Sequence, residues 1–400
     1  MNLYSLIIIK RKIENVFIYP FILMGRFIAL ARPLHKEHET FFFFPFYHTG
    51  GAEKVHLQIA EAVSNKNSII FFTRKSADKT FYQNFVQLNC TIKDISKFTD
   101  NKWLFFFNLI YRGIISTYIN HQKNKPIVFN GQCNFAYKIS PWIKKEIKQI
   151  ELIHALNSFS LIRIPFLNYY TLSLTVSEEI INKHQIFYKK YQLPENIADK
   201  FSFVETKVDL PKKFTHKNFE NIDLIVLYVG RGTEEKRVHL IGEVAKKICD
   251  IALPVKFILA GEVKNSMPLN LQKYCNFLGN VSDKSQLENI YQSSHILMVT
   301  SSTESGPLVT MEAMAYGLAI ITTNVGFVSN YVINDENGYK INPQTKEDEI
   351  VNFMSEKIEF LYNHRELLKQ MSEKNLLVAF ENFGLNKFKH SYQDLFESLK

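Results

Sequence analysis

An α/β chain of two doubly wound domains, each built on a parallel sheet, is the fold class predicted for these 400 residues. Three observations predict it. The length exceeds what a single core usually fills, so two domains of roughly 150 to 200 residues are expected. Hydrophobic residues make up 46% and charged residues 22%, enough apolar material for full cores and too much for a disordered chain. From residue 40 onward, short continuous apolar runs alternate with amphipathic ones, the pattern of strands buried on both faces and joined by helices.

Residues 17–31, FIYPFILMGRFIALA, are apolar but interrupted by Pro20 and Arg26 and preceded by Lys10, Arg11 and Lys12. The stretch is shorter than the roughly 20 residues that cross a bilayer, and no small-residue cleavage site follows it cleanly. Within an extension of residues 1–38, the expectation is a packed or peripheral helix, a shallow membrane insertion or a dispensable upstream piece. Residues 41–46 form an aromatic strand, His48, Thr49, Gly50 and Gly51 a turn, and residues 52–63 a helix with Val55, Ile59 and Val63 on one face. Strands are expected at 69–73 and 126–130, a long apolar helix at 104–119, and a charged helix running into a brief strand over 144–154. Residues 170–177 alternate toward a helix start at Ser177, with Glu178 and Glu179 in its first turn.

Pro211, Lys212 and Lys213 interrupt the pattern in the segment 201–221, a crossing between domains of residues 39–210 and 211–378. In the second domain, strands are expected at 224–229, 255–260, 276–278, 296–299 and 319–323, with helices at 236–248, 287–292 and 309–316. From residue 347 the pattern is nearly all helical, with a break at 382–385 and a closing helix within 379–400. Two such domains in tandem are expected to face their strand-end loops toward each other across a cleft, where ligands of open α/β sheets bind.

Cys90, Cys133, Cys249 and Cys275 are scattered without a CxxC pair, which supports neither a disulfide framework nor a cysteine zinc site and fits a reducing cytoplasm. Residues 1–200 carry 26 Lys/Arg against 14 Asp/Glu, a net +12, and residues 201–400 carry 22 against 25, a net −3. No basic run stands beside a reading helix, so a nucleic-acid partner is not expected. An anionic membrane surface fits the basic first half.

Four constellations carry chemistry. Gly50 and Gly51 follow a strand and open a helix, either an ordinary tight turn or a loop whose free amides meet an anion or a sugar. Gly230, Arg231 and Gly232 end a strand, and Lys236 follows five residues after Arg231. The two cations suit a diphosphate, or else they are solvated partners of Glu234 and Glu235. Glu304 and Glu312 bracket Gly306, Pro307, Leu308 and Val309. Glu312 sits on an otherwise apolar helix, where it meets a ligand or caps a neighbouring loop's amides. His154, at a strand-to-loop junction, is a satisfied core histidine or a donor to a phosphate or sugar hydroxyl. No HExxH pair, Asp-x-Asp pair or nucleophile triad is present.

YVGRGTEEKRVHL at 228–240, LGNV at 278–281, SSTESGPLVTMEAMAYGLAIITTNVG at 301–326 and FFFFPFYHTGGAEKVHLQIAEAV at 41–63 together resemble the retaining glycosyltransferases of family 4. That resemblance implies a GT-B fold: two Rossmann-like domains with parallel sheets facing across a cleft. It implies an enzyme, a hexosyltransferase moving a sugar from a UDP- or GDP-sugar with retention to a glycan or lipid-linked acceptor. The setting it implies is bacterial lipopolysaccharide or capsule synthesis, in the cytoplasm and peripheral to the inner face of the cell membrane. By the same carry-over Gly50 and Gly51 face donor phosphates or acceptor, and His154 lies near the reacting sugar. Gly230, Arg231 and Lys236 hold the diphosphate, and Glu304 meets the sugar hydroxyls. Glu312 holds the ribose, and Gly306 and the amides of Leu308 and Val309 face the diphosphate. No cofactor and no catalytic metal are implied, the nucleotide-sugar being a substrate, and the last helix crosses back to the first domain. The chain departs from the family at 205–209, where only Val208 and Asp209 match, and at 260–263, where AGEV replaces a more glycine-rich loop. A phosphorylase- or epimerase-like enzyme of the same architecture, or a scaffold for a membrane assembly, are the alternatives.

Overall fold

The computed structural model describes residues 2–204, 207–211, 217–220, 223–304 and 306–400. Lys212 and Lys213 of the expected crossing, Glu205 and Thr206 of the divergent segment, and Ser305 lie outside the described residues. The chain forms two compact units, Met1–Glu205 with Asn386–Lys400, and Thr206–Leu385.

Unit 1 opens with helix α1 (Leu3–Ala31), strand β1 (Thr40–Phe44), α2 (Gly51–Val63), β2 (Ser68–Phe72), β3 (Thr91–Asp94), α3 (Phe105–Asn120) and β4 (Ile127–Asn130). It continues with β5 (Gln149–Ile153), β6 (Leu172–Thr175), α4 (Glu178–Lys190) and β7 (Phe201–Phe203). All strand pairs are parallel, in the order β3-β2-β1-β4-β5-β6-β7. Because β1 is central and covered on both faces, Phe41 to Phe44 are all fully buried. Burial of each such ring contributes about 2–3 kcal/mol.

Residues 3–31 form one continuous 29-residue helix, α1, which groups with unit 1, and Pro20 lies inside it. One expectation here is corrected. No charged helix precedes β5; the chain reaches Gln149 through a short 3-10 turn at Ser140–Trp142. Lysines without an apolar stripe in this stretch have nothing to pack a helix against the sheet.

Beneath β5 and β6, Glu151 and Arg163 form a buried ion pair with bonds of 2.6 and 3.0 Å. Tyr137 donates to the same carboxylate at 2.7 Å and Ser173 adds a hydroxyl. Burial pushes the Glu151 pKa up, but the Arg163 guanidinium and these donors outweigh it and hold the carboxyl below its ordinary value.

Unit 2 contains β8 (Leu224–Val229), α5 (Val238–Asp250), β9 (Val255–Ala260), β10 (Asn276–Gly279), α6 (Lys284–Ser293), β11 (Ile296–Val299), α7 (Leu308–Ala315), β12 (Ala319–Thr323) and β13 (Gly338–Ile341). Helices α8 (Glu347–Asn363) and α9 (Arg365–Asn382) follow. Its sheet is also all parallel, ordered β10-β9-β8-β11-β12-β13. The closing helix α10 (Leu385–Ser398) belongs to unit 1 from Asn386 onward, with the Phe396 ring 6.2 Å from Phe42 and 5.9 Å from Phe129.

Three histidines are held neutral by burial. His154, His184 and His295 are each pushed down to about 4 from an ordinary 6.5. The His295 tautomer is fixed, since Nδ1 accepts from the Ile225 amide and Nε2–H donates to the Asn218 carbonyl. The unfolded chain takes up protons at these sites below pH 6.5 while the folded chain does not until about pH 4, so stability falls as pH drops through that window. Thermal unfolding should occur about 4–8 °C lower at pH 5 than at pH 7.5. An unchanged melting temperature would mean that these rings protonate without cost in the folded chain.

Candidate functional site

In open parallel sheets, ligands bind beyond the carboxyl ends of the strands, where the strand order reverses direction. In unit 2 that point lies between β8 and β11, and both loops singled out in the sequence leave the sheet there. Gly230 ends β8, its amide donating to the Ala260 carbonyl at 3.0 Å, and the Tyr228 hydroxyl donates to the Arg231 carbonyl at 2.9 Å. The Arg231 side chain is exposed, with no hydrogen bond or ion pair to any described residue.

Lys236 does not start a helix, as the periodicity suggested. It closes a 3-10 turn (Glu234–Lys236), and Arg237, in the left-handed region at φ 46°, separates that turn from α5. Tertiary bonds account for the break. Arg237 donates through Nε to the Thr300 carbonyl at 2.8 Å, through Nη2 to Ser301 at 3.2 Å and through Nη1 to Pro343 at 3.3 Å. In return, the Thr300 hydroxyl donates to the Lys236 carbonyl at 2.8 Å and the Ser302 amide to the Glu235 carbonyl at 2.7 Å. The loops after β8 and β11 are thereby stapled together, and Lys236 and Glu304, 68 positions apart, form an ion pair. The Ser301 hydroxyl donates to the same Glu304 carboxylate at 2.8 Å.

Pro307 stands one residue before α7, and Leu308 and Val309 are its first two residues, whose amides lie in the unpaired first turn of a helix. That turn carries no acidic residue. Gly306 lies against Phe327, whose ring a Cβ there would meet at 2.5 Å. Glu312, further along α7, accepts from the Tyr291 hydroxyl at 2.9 Å, and the Tyr291 ring stacks on Tyr316 at 5.3 Å. Glu304 and Glu312 therefore have separate partners. The structure groups Arg231, Lys236, Glu304 and the α7 amides around one strand-end crevice.

Unit 1 repeats the arrangement at its own reversal point, between β1 and β4. Gly50 caps α2 and Gly51 begins it, with open space where a Cβ at Gly51 would lie. Here the first turn is not free for an anion, because Glu53 turns its carboxylate back beneath Gly50 and lies 3.6 Å from His48 Nε2. The Thr49 amide is already given to Asp78, at 3.2 Å.

His154, after β5, meets a partner that sequence reasoning did not single out. Its Nε2 lies 2.8 Å from Nε2 of His56 on α2. Burial keeps both rings neutral, and the His154 ring further disfavours a charge on His56. A bond between two neutral Nε2 atoms needs a proton on one and not on the other. The His154 amide is held by Gln132 Oε1 at 2.9 Å, and Gly131 leaves room for His56, since a Cβ there would stand 2.6 Å from its Nε2. The visible signal for His56 was a polar residue three positions after Glu53 on the buried side of α2. Gln132 and Arg237 left no signal. Among the described residues, no three His, Cys, Asp or Glu side chains are grouped so as to hold a metal.

Residues 209–376 match the model of the glycosyl transferases group 1. This glycosyl transferases group 1 region covers nearly all of unit 2, including both stapled loops. Across 357 residues, 87% of this chain and 96% of the relative, the chain is 25% identical to an uncharacterized glycosyltransferase of Haemophilus influenzae. It is 22% identical over 185 residues, 42% of this chain and 47% of the relative, to a lipopolysaccharide 1,2-N-acetylglucosaminetransferase of Salmonella typhimurium. A solved Anabaena protein, HepE, in complex with UDP and glucose, superposes with a TM-score of 0.68 at 14% identity, covering 90% of this chain and all of that one. The superposition shows that the chain has the GT-B fold, and within it residues 209–376 carry the glycosyl transferases group 1 region.

Proposed function

We propose that the protein is a retaining hexosyltransferase of family 4, moving a sugar from a UDP- or GDP-sugar to a glycan or lipid-linked acceptor in bacterial lipopolysaccharide or capsule synthesis. The observation that carries this reading is the crevice between β8 and β11, with Lys236 paired to Glu304 and Arg231 unpaired beside an acid-free helix start. Fixed cations and amides are what a departing diphosphate requires. In this reading Gly230, Arg231, Lys236, Gly306 and the Leu308 and Val309 amides receive the diphosphate, Glu304 the donor-sugar hydroxyls and Glu312 the ribose.

Unit 1 suits the acceptor and the reacting sugar rather than phosphate, because Glu53 already occupies the start of α2. Gly50 and Gly51 then border acceptor hydroxyls. His56, whose Nδ1 has no hydrogen-bond partner, donates from Nε2 to His154, leaving His154 to offer Nδ1–H to a sugar hydroxyl. In this reading the acceptor oxygen attacks the anomeric carbon on the face the diphosphate leaves. The carbon–phosphate-oxygen bond breaks, and the acceptor's proton passes to that phosphate oxygen. The basic first half, net +12 over residues 1–200, supports a position on the cytoplasmic face of the cell membrane in this reading.

Calorimetry with UDP, GDP and their sugars tests the division of labour. Glu312→Gln should weaken the bare nucleotide about tenfold, roughly one charge-assisted hydrogen bond. Glu304→Gln should weaken mainly the intact nucleotide-sugar, since in this reading Glu304 meets the sugar hydroxyls that the bare nucleotide lacks. Equal losses for both ligands in both variants would overturn these roles, and no binding of any nucleotide would overturn the function.

A further inference from the structure

The outer face of α1 is a feature that sugar transfer leaves unexplained. Its inner face is sealed: Ile22, Gly25 and Ala29 are buried, and Gly25 crosses Gly113 of α3 with backbone against backbone. A Cβ at Gly25 would stand 2.1 Å from the Ile110 carbonyl, and one at Gly113 2.2 Å from that of Ile22. The opposite face from residue 16 to residue 31 is exposed and carries no charge. Val16, Phe17 and Phe27 are 72%, 75% and 71% exposed, and Met24 and Leu30 more than half as much.

A second exposed apolar group joins it. Trp103, at 95% exposure, and Phe105 and Phe106 lead into α3, and the Phe106 ring lies 5.4 Å from Phe21 of α1. Cations frame this surface. Lys10 and Lys12 are exposed before it, Arg32 and Lys36 after it, and Lys102 adjoins Trp103. Beside Leu30, Arg26, His121 and Lys144 line a hollow of about 350 Å³. Residues 1–38 hold six Lys/Arg against two Glu.

We propose that α1 and the Trp103–Phe106 tip form a monotopic membrane seat, lying in the plane of an anionic bilayer with the apolar face among the acyl chains and the cations at the headgroups. By length and composition α1 is able to cross a membrane. Packing decides otherwise, because a spanning helix is wrapped by lipid or by other membrane segments, and wrapping α1 would undo the Gly25–Gly113 crossing and expose Arg11 and Arg26. The apolar stripe of 16 residues is about 24 Å long, short of a bilayer core but suited to lying flat with flanking cations and aromatic rings at the interface. A second copy of the chain is disfavoured as the occupant, since apposing this face on itself brings like charges together. The proposal stands on unit 1 alone, and its failure leaves nucleotide binding by unit 2 untouched.

The test uses the full chain with vesicles of phosphatidylglycerol and phosphatidylcholine, against phosphatidylcholine alone. Sedimentation should favour the anionic vesicles and weaken, without vanishing, at high salt. In Trp142→Phe, the remaining Trp103 should shift to the blue and be quenched by lipids brominated near the headgroup. In the Trp103→Phe/Trp142→Phe background, Phe17→Trp and Phe27→Trp probe positions ten residues and about 15 Å apart along the helix. Equal quenching depths mean a helix lying flat. Depths that differ by that separation mean a spanning helix and overturn the proposal. Phe17→Glu/Phe27→Glu, both at exposed positions, should lower vesicle partitioning at least tenfold while leaving the melting temperature and calorimetric nucleotide binding unchanged. Equal binding to both vesicles, an unquenched Trp103, or a lipid-free dimer dissociated by the double substitution would each overturn it.

Discussion

Replacing Lys236 by alanine should lower kcat/KM for sugar transfer about 100-fold or more, the scale seen when one fixed charge facing a developing anion is removed. Two losses combine. The leaving diphosphate loses a cation, and the Glu304 carboxylate, now without Lys236, is left to face it as a like charge. Lys236→Ala/Glu304→Gln should therefore be less impaired in diphosphate binding than Lys236→Ala alone, a non-additivity that follows from their direct pairing. Arg231→Ala removes a cation with no competing partner and should cost about tenfold or more. Steady-state kinetics on a nucleotide-sugar panel, with melting temperatures as a folding control, provide the measurement. Near wild-type rates in both folded variants would show that the crevice between β8 and β11 does not hold the leaving group.

Arg163→Met should destabilise unit 1 by about 3–5 kcal/mol, because it strands the Glu151 carboxylate in the sheet's underside with only the Tyr137 and Ser173 hydroxyls. Replacing both partners, in Arg163→Met/Glu151→Met, should recover much of that loss, since neither leaves an uncompensated charge. A chain of two units need not unfold in one step. Urea unfolding followed by hydrogen exchange at β5 and β6 isolates the relevant unit, and an Arg163→Met transition within about 1 kcal/mol of the parent would show the pair to be dispensable. The variant reports on folding alone, since neither side chain is exposed to a substrate.

Legibility followed burial. The run from Phe41 to Phe44 reads as a central strand because a strand covered on both faces has no polar side to interrupt it. The edge strands β3 and β7 were missed, since TIKD and FSF are half-buried or exposed and carry no continuous apolar run. In α1, Pro20 reads as an interruption because proline is costly in a helix interior, and Arg26 because its charge breaks the apolar run. Packing along α3 supplies what local propensity lacks, and the Arg26 guanidinium lies 5.9 Å from the Tyr19 ring.

By itself the sequence determined the two α/β units, nearly every buried strand, and the residue types of the crevice between β8 and β11, because hydrophobic period and glycine-bearing turns are local properties. Tertiary structure decided which of those residues act together. Lys236 meets Glu304 across 68 positions only because β8 and β11 are neighbours where the sheet order reverses. His56 meets His154 across 98 positions because α2 rises from β1 and β5 lies one strand beyond β4. Likewise Arg237 is recognisable as the residue joining two loops only once the Thr300, Ser301 and Pro343 carbonyls are within its reach. Strand order is set by long-range pairing that no local pattern encodes, and so side-chain partnership across the sheet's end is fixed by folding rather than by spacing along the chain.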